Sequence, residues 1–429
     1  MPATIVIGAQ WGDEGKGGVA DRLAAESDVV ARYAGGDNAG HTVAVGSEVF
    51  KLHLVPSGIL HDRATCVLGN GTVINPVNLL REMDELVERG VNISPQRLLI
   101  STRAHIVTPA HIALDRASEK SLGEEAIGTT LRGIGPAYLD KTGRRGIRAG
   151  LMLDEEDFAD VVHQAIEQAN ETLSRQGFDK LDAVETATAY IDAAKRLQPY
   201  ICETSVYLNQ RLKENARVIC EGAQGTMLDI DHGDYPFVTS SSPTAGGALA
   251  GLGFGPLYVD RIIGVTKCFS TRVGSGPMPS ELEGKLADQL RGTGENFWDE
   301  FGTTTGRTRR CGWLDGVILR YAAQVSGFTE LFLTKLDILS GFDELKIAVA
   351  YEIDGQRIEF PPSTRAKLAR ATPVYETFPG WHEDISDVRH VDGLPPAARD
   401  YIQRVGEICD TLVKTVSVGP KRDQLIPLP

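Results

Sequence analysis

Thr4-Ile5-Val6-Ile7-Gly8-Ala9-Gln10-Trp11-Gly12-Asp13-Glu14-Gly15-Lys16-Gly17 changes character after its fourth residue. The β-branched run from Thr4 to Ile7 has the composition of a buried strand. Glycines at 8, 12, 15 and 17 break it, and Val19-Ala20-Asp21-Arg22-Leu23-Ala24-Ala25 continues with helix-like composition. Strand, glycine loop with one lysine, then helix is how α/β proteins cradle phosphate. The glycines turn backbone N–H groups toward the anion, the helix N-terminus adds about half a positive charge, and the lysine reaches the terminal phosphates. The match to G-x-x-x-x-G-K-[ST] is partial, because Gln10 stands where that pattern has Gly and Gly17 where it has a hydroxyl. With no hydroxyl to ligate magnesium, Asp13 is the nearest carboxylate candidate. The plainer alternative is a glycine turn beside a surface lysine.

Further strands and loops follow. Val29 to Tyr33 reads as a second strand running into Ala34-Gly35-Gly36-Asp37-Asn38-Ala39-Gly40-His41-Thr42, a glycine-rich loop in which Asn38, His41 and Thr42 offer polar groups to a ligand. His41 is there either for a ligand or simply packed. Ala64 to Gly69 is another strand. Asn75 then caps a helix with Pro76 at its first position, a stripe of Leu79, Leu80, Met83, Leu86 and Val87, and Gly90 as its stop. Residues 126–136 form a glycine/threonine loop. Its Gly133-x-Gly135 runs into Pro136 rather than a helix, so a dinucleotide fingerprint is rejected. Arg144, Arg145 and Arg148 are either a solvated basic run or an anion clamp. From about 151 to 215 lies an inserted helical segment, with stripes Phe158, Val161, Val162, Ile166 and Ala189, Ile191, Ala194, Leu197.

Strands at 217–220 and 261–269 open into polar loops at 224–242 and 270–274, and residues 302–310 place hydroxyls and three arginines together. Arginine binds phosphate and carboxylate bidentately, so this last loop is an anion-site candidate. Leu331 to Leu333 is a late strand ending in Thr334-Lys335-Leu336-Asp337, which resembles the N/T-K-x-D guanine-reading element. An aspartate there accepts from N1–H and the exocyclic amine of guanine, a donor pair that adenine lacks. Residues 346–351 and 357–360 around Asp354-Gly355 read as a hairpin. Val416-Ser417-Val418-Gly419-Pro420 is a strand-end turn placed to close over the base.

The totals set limits. The 429 residues carry a net charge of −14, which argues against non-specific binding to nucleic acid or anionic membrane, so anionic ligands need local Arg/Lys clusters. Six scattered cysteines without a C-x-x-C read as buried thiols in a reducing compartment. No basic-plus-apolar leader occurs, and no apolar run reaches the roughly 20 residues needed to span a bilayer, so the expectation is a cytoplasmic protein. The fold expected is α/β: a mostly parallel, P-loop-like central sheet flanked by helices, with polar loops at the carboxyl ends of its strands and a small antiparallel hairpin region. Two functions compete, a GTP-binding switch and a GTP-consuming enzyme. Four polar loops beyond the triphosphate site favour the enzyme.

In order along the chain, GAQWGDEGKG, GGDNAGHT, IGTTLRGIGPAY, EGAQGTMLDIDHGDYPFVTSSS, STRVGSGP, TTTGRTRRCGWLD, LTKLD and YETFPGW resemble the adenylosuccinate synthetase family over nearly the whole chain. The resemblance implies one family-wide α/β domain over 1–429 that joins IMP and L-aspartate with GTP and Mg²⁺, through a 6-phosphoryl-IMP intermediate, on the way from IMP to AMP. It implies Asp13 as the base on IMP N1, His41 as the partner that stabilises the transferring phosphoryl group and donates a proton, and Lys16 as a phosphate holder. For GTP it implies Gly12, Asp13, Glu14, Gly15, Lys16, Gly17, Gly40, His41, Thr42, Arg309, Lys335, Leu336, Asp337, Ser417, Val418 and Gly419. For IMP it implies Asp13, Asn38, Ala39, Thr130, Gln224, Thr239, Arg307 and, from the neighbouring subunit of a homodimer, Arg144. For aspartate it implies Val273, Thr303, Thr304, Thr305, Gly306 and Arg307, and for the metal Asp13 with the Gly40 carbonyl. Departures from the family pattern are Gly18, Asp37, Leu131 and Thr308, none of which has an assigned role.

Overall fold

In the structure, a computed structural model that describes residues 2–46, 48–123, 126–302 and 306–429, the strand Ala3–Gly8 is buried at every position. Successive side chains of a strand point to opposite faces, and here both faces are dry. Ile5 and Ile7 join one hydrophobic core while Val6 joins the other. The same alternation holds in Val29–Arg32 and Val218–Glu221, where Val30 and Ile219 face the second core. A strand covered on both faces has no need of polar alternation, which is why these segments read as near-continuous apolar runs.

Among the described residues, ten strands form the central sheet. Ala3–Gly8 is flanked by Val218–Glu221 and Val259–Lys267, both parallel to it. Outward on one side lie Val29–Arg32, Thr65–Leu68, Leu98–Ser101 and Ile201–Cys202; on the other lie Glu330–Thr334 and Val413–Ser417, all parallel. Only Leu425–Pro427, at the edge, runs antiparallel. Helices Thr204–Lys213, Ala245–Leu252, Gly316–Ser326 and Pro396–Cys409 cover the first core. Lys16–Ala24, Pro76–Glu88, Pro109–Leu122, Glu155–Arg175 and Ala183–Leu197 cover the second. The 76–88 helix is capped as its sequence predicts, with the Asn75 carboxamide oxygen accepting from Asn78 N at 3.1 Å. The 344–353 strand pairs with Gln356–Ile358, giving the expected hairpin, and also with Thr372–Pro379.

Three local expectations are corrected. His41 and Thr42 are not loop residues: His41–Val45 pairs antiparallel with Glu48–Leu52, because Thr42-Val43-Ala44-Val45 is β-prone and finds a partner beyond the turn. A helix, Ile134–Thr142, does begin at Gly133, whose left-handed φ of 75° makes the turn. Pro136 sits in its first turn, where a missing N–H breaks no helical bond. The dinucleotide fingerprint still fails, since a loop rather than a strand precedes it. On the 183–197 helix, Ala189 is exposed and Ile191 half-buried; the buried line is Ala187, Tyr190, Ala194 and Leu197, set by the large aromatic ring.

Candidate functional site

Because nine of the strands are parallel, their carboxyl ends share one edge of the sheet, and the polar loops meet there in one pocket. Its floor is the 8–17 loop, with Gly12, Asp13 and Gly15 at φ of 90°, 60° and 92°. Glu14 turns its carboxylate inward, accepting from Gln10 N at 3.0 Å, Gly12 N at 2.9 Å and Lys16 Nζ at 2.5 Å. Its side chain therefore shapes the loop and restrains the lysine. Gln10, in place of the pattern's glycine, donates to Phe269 O at 3.2 Å and ties the loop to the segment after the neighbouring strand. Gly17 replaces a hydroxyl because there is no room for one: a Cβ there would stand 2.7 Å from His41 Cβ.

Asp13 carries the only partly exposed carboxylate of this loop. Burial pushes its pKa up, but the Arg309 guanidinium and the Lys267 and Lys16 ammoniums outweigh that and hold it below the usual carboxylate range. Arg309 Nε donates to Asp13 Oδ2 at 2.9 Å and Arg309 Nη1 to Glu300 Oε2 at 2.7 Å. Glu300 is a buried hub that also accepts from Lys267 Nζ at 2.7 Å and Lys335 Nζ at 2.5 Å. Burial raises the Glu300 pKa, yet three cations drive it far below the ordinary value. Burial also brings the Lys267 ammonium down to about 8.

At the far end, Lys335 adopts a left-handed φ of 63°, its N–H donating to Ser417 Oγ at 3.1 Å, so the C-terminal turn is fastened to the 334–337 loop. Asp337 Oδ1 is buried without a hydrogen-bond partner, and burial raises the carboxyl pKa to about 6. A buried carboxylate oxygen with nothing to accept is costly, so it points to donors on a ligand. Leu336 and Val418, expected at the nucleotide, are fully buried core residues outside the pocket lining, because their apolar side chains pack inward between the polar neighbours that do line it.

Asn38, Ala39, Gly40, Thr130, Gln224, Thr239, Val273 and Arg307 line the same pocket. Gln224, at φ 57°, has its Oε1 buried and unpartnered. The 127–133 loop is held by two carboxylates. Glu119 accepts from Gly128 N at 2.8 Å, and Asp115 accepts from Thr129 Oγ1 at 3.0 Å and Gly133 N at 2.9 Å. Arg307 reaches Thr129 O at 3.0 Å, joining the 302–310 loop to it. Gly306 is exposed and outside the lining, and Thr303, Thr304 and Thr305 lie outside the described residues. Arg144 is exposed, at φ 60°, beyond the 134–142 helix and away from this pocket. Sequence reading missed Glu221, Lys267 and Glu300; charged residues ending apolar strands were the available signal for the first two.

The family model described as adenylosuccinate synthetase matches residues 5–426. The adenylosuccinate synthetase of Frankia casuarinae is 51% identical over 427 residues, covering 99% of each chain. That of Moorella thermoacetica is 51% identical over 432 residues, covering 100% of this chain and 99% of its own. Among solved structures, the fully ligated adenylosuccinate synthetase of Plasmodium falciparum superposes with a TM-score of 0.94 at 37% identity, over 100% of both chains. The succinoaminodeoxyadenylate synthetase of cyanophage S-2L shares the fold, with a TM-score of 0.62 at 19% identity over 100% of this chain and 95% of its own. The chain belongs to the adenylosuccinate synthetase family, and it is a ligase that joins IMP to L-aspartate with GTP in the synthesis of AMP.

Proposed function

We propose that catalysis runs through Asp13, His41 and Lys16 on the 8–17 and 38–42 segments. Asp13 takes the N1 proton of IMP, the electron pair moves to O6, and O6 attacks the γ-phosphorus of GTP. The bond from that phosphorus to the bridging oxygen breaks, giving GDP and 6-phosphoryl-IMP. The aspartate amine then attacks C6 and loses a proton, and phosphate departs with O6. Little covalent chemistry falls to the protein in such a transfer; positioning and charge neutralisation supply most of the acceleration. The Arg309–Asp13 pair supports this order of events. A triphosphate competes for the guanidinium, and its departure leaves the carboxylate free for N1.

In this reading GTP rests on the backbone of 12–17 and of 40–42, with Lys16 at its phosphates, Arg309 and Ser417–Gly419 around it, and Asp337 on the guanine. IMP is held by Asn38, Ala39, Thr130, Gln224, Thr239 and Arg307, and aspartate by Val273 with residues 303–307. Asp13 and the Gly40 carbonyl would hold Mg²⁺. No cluster of three or more His, Cys, Asp or Glu side chains suited to a metal occurs among the described residues. That suits an ion which takes one or two protein oxygens and completes its shell with phosphates and water. Bound there, it would neutralise phosphate charge.

Arg144, exposed and remote from its own pocket, fits donation to the IMP phosphate of a second subunit in a homodimer. The chain reads as one α/β unit with an inserted helical subdomain at about 151–215, whose two long helices pack on Pro76–Glu88 and Pro109–Leu122. Six unpaired cysteines are in keeping with a cytoplasmic setting.

The unpartnered Asp337 oxygen at the end of a pocket floored by a phosphate loop is the observation that carries the substrate assignment. GTP consumption measured with each substrate omitted in turn tests it. Phosphate release is expected only when GTP, IMP and aspartate are all present, whereas turnover of GTP alone would indicate a GTP-hydrolysing switch.

A further inference from the structure

Glu221 ends the strand beside Ala3–Gly8 and is fully buried. Its Oε2 accepts from Ser57 N at 2.9 Å and from Ser57 Oγ at 2.8 Å, while its Oε1 meets His41 Nδ1 in a short hydrogen-bond contact. Burial raises the Glu221 pKa, but His41 and the two Ser57 donors outweigh it and keep the carboxyl ionised. Arg32, at the end of the adjacent strand, is equally buried and gives its guanidinium to Ala34 O, Gly36 O and His53 O. Two buried charges, paired in register at neighbouring strand ends, thus both hold the 34–53 segment. Arg32 grips its backbone, and Glu221 grips one side chain.

His41 is 8% exposed, lines the pocket, and packs its Cβ and Cγ against Gly17 of the phosphate loop. An ionised carboxylate accepts only, so the Nδ1 that faces Glu221 must carry a proton. The nitrogen left for a substrate is then Nε2. When one ring nitrogen is committed to a carboxylate, the tautomer and the ring plane are fixed, and a negative charge stands behind the ring.

We propose that Glu221 is a positioning residue for the phosphoryl transfer, holding His41 by Nδ1 so that Nε2 alone meets the nucleotide. This rests on the proposed role of His41 as the group that stabilises the transferring phosphoryl group. The conserved shape of the Glu221→Gln variant makes the test sharp. Ser57 N is a donor and needs the amide oxygen, which leaves the amide NH₂ facing His41 Nδ1 and favours the opposite ring tautomer.

Nitrogen NMR of the unaltered enzyme should show His41 protonated at Nδ1; an unprotonated Nδ1 there overturns the proposal without any variant. Glu221→Gln should lower kcat by about 10²- to 10⁴-fold, the range of a misplaced acid–base group, with KM for IMP within about threefold. Glu221→Asp should recover part of the loss. Combined with His41→Asn, Glu221→Gln should cost nothing further, because the group it acts through is gone. A Glu221→Gln enzyme within threefold of the parent, or losses that multiply in the double variant, overturns the proposal. A His41→Asn enzyme that turns over normally would instead overturn the reading of His41.

Discussion

Asp337 shows how much one side chain decides. Its folded pKa of about 6 lies above the usual 3.8, so the folded chain binds that proton more tightly than the unfolded one. Asp337 therefore favours the ligand-free fold more as pH falls through the window between those values. With Asp337 on the guanine as proposed, binding would run the other way, since a protonated carboxyl cannot accept from both guanine donors. The KM for GTP should rise as pH drops below about 6, approaching tenfold per unit. Asp337→Asn should abolish that rise and move the preference from GTP to xanthosine triphosphate, whose carbonyl accepts from the new amide. Steady-state kinetics with both nucleotides between pH 5 and 8 would measure this. The place of Asp337 in the pocket was legible in the sequence because T-K-x-D needs contiguous residues only. Glu221 and Glu300 were not, because their meaning comes from partners such as His41 and Lys267, which are remote in sequence.

At the scale of elements, the pocket is a set of loops held by buried charges. Glu300 gathers Lys267, Lys335 and Arg309, and so connects the 334–337 loop to the one carrying Asp13. Removing it leaves the fully buried Lys267 unpaired, so Glu300→Ala should destabilise the fold by about 3–5 kcal/mol. Adding Lys267→Met should restore much of that, as read from the denaturant midpoint. The strands were legible because their apolar runs are dry on both faces, and the 76–88 helix because its cap and the stripe of Leu79, Leu80, Met83 and Leu86 are local; Val87, read into that stripe, is exposed. The 41–52 hairpin was not, since its pairing depends on a return strand, and a glycine-rich approach masks its start. Leu131, a departure from the family pattern, adopts φ 57°, a conformation that glycine takes more readily.

For the whole molecule, the parallel sheet delivers nine strand ends to one edge, and this is what turns scattered motifs into one site. Parallel order was readable from the alternation of strands and helices, whereas no motif specified which strands are neighbours. Arg144 stands outside that site, and the proposed homodimer with shared sites would give it a measurable signature. Mixing inactive Asp13→Ala subunits with Arg144→Ala subunits should restore activity, up to roughly a quarter of the parent value, because each mixed dimer holds one intact site. Subunits that never complement would place Arg144 outside the partner's chemistry. The central claim is that Asp13 deprotonates IMP so that O6 takes the γ-phosphoryl group. Its most direct measurement uses GTP labelled with ¹⁸O in the β,γ-bridge, mixed with enzyme and IMP in the absence of aspartate. Reversible transfer to O6 should scramble the label into the β non-bridging positions, only when IMP is present, and Asp13→Asn should stop it. Scrambling that persists unchanged in Asp13→Asn, or its absence from the parent enzyme, would contradict the account.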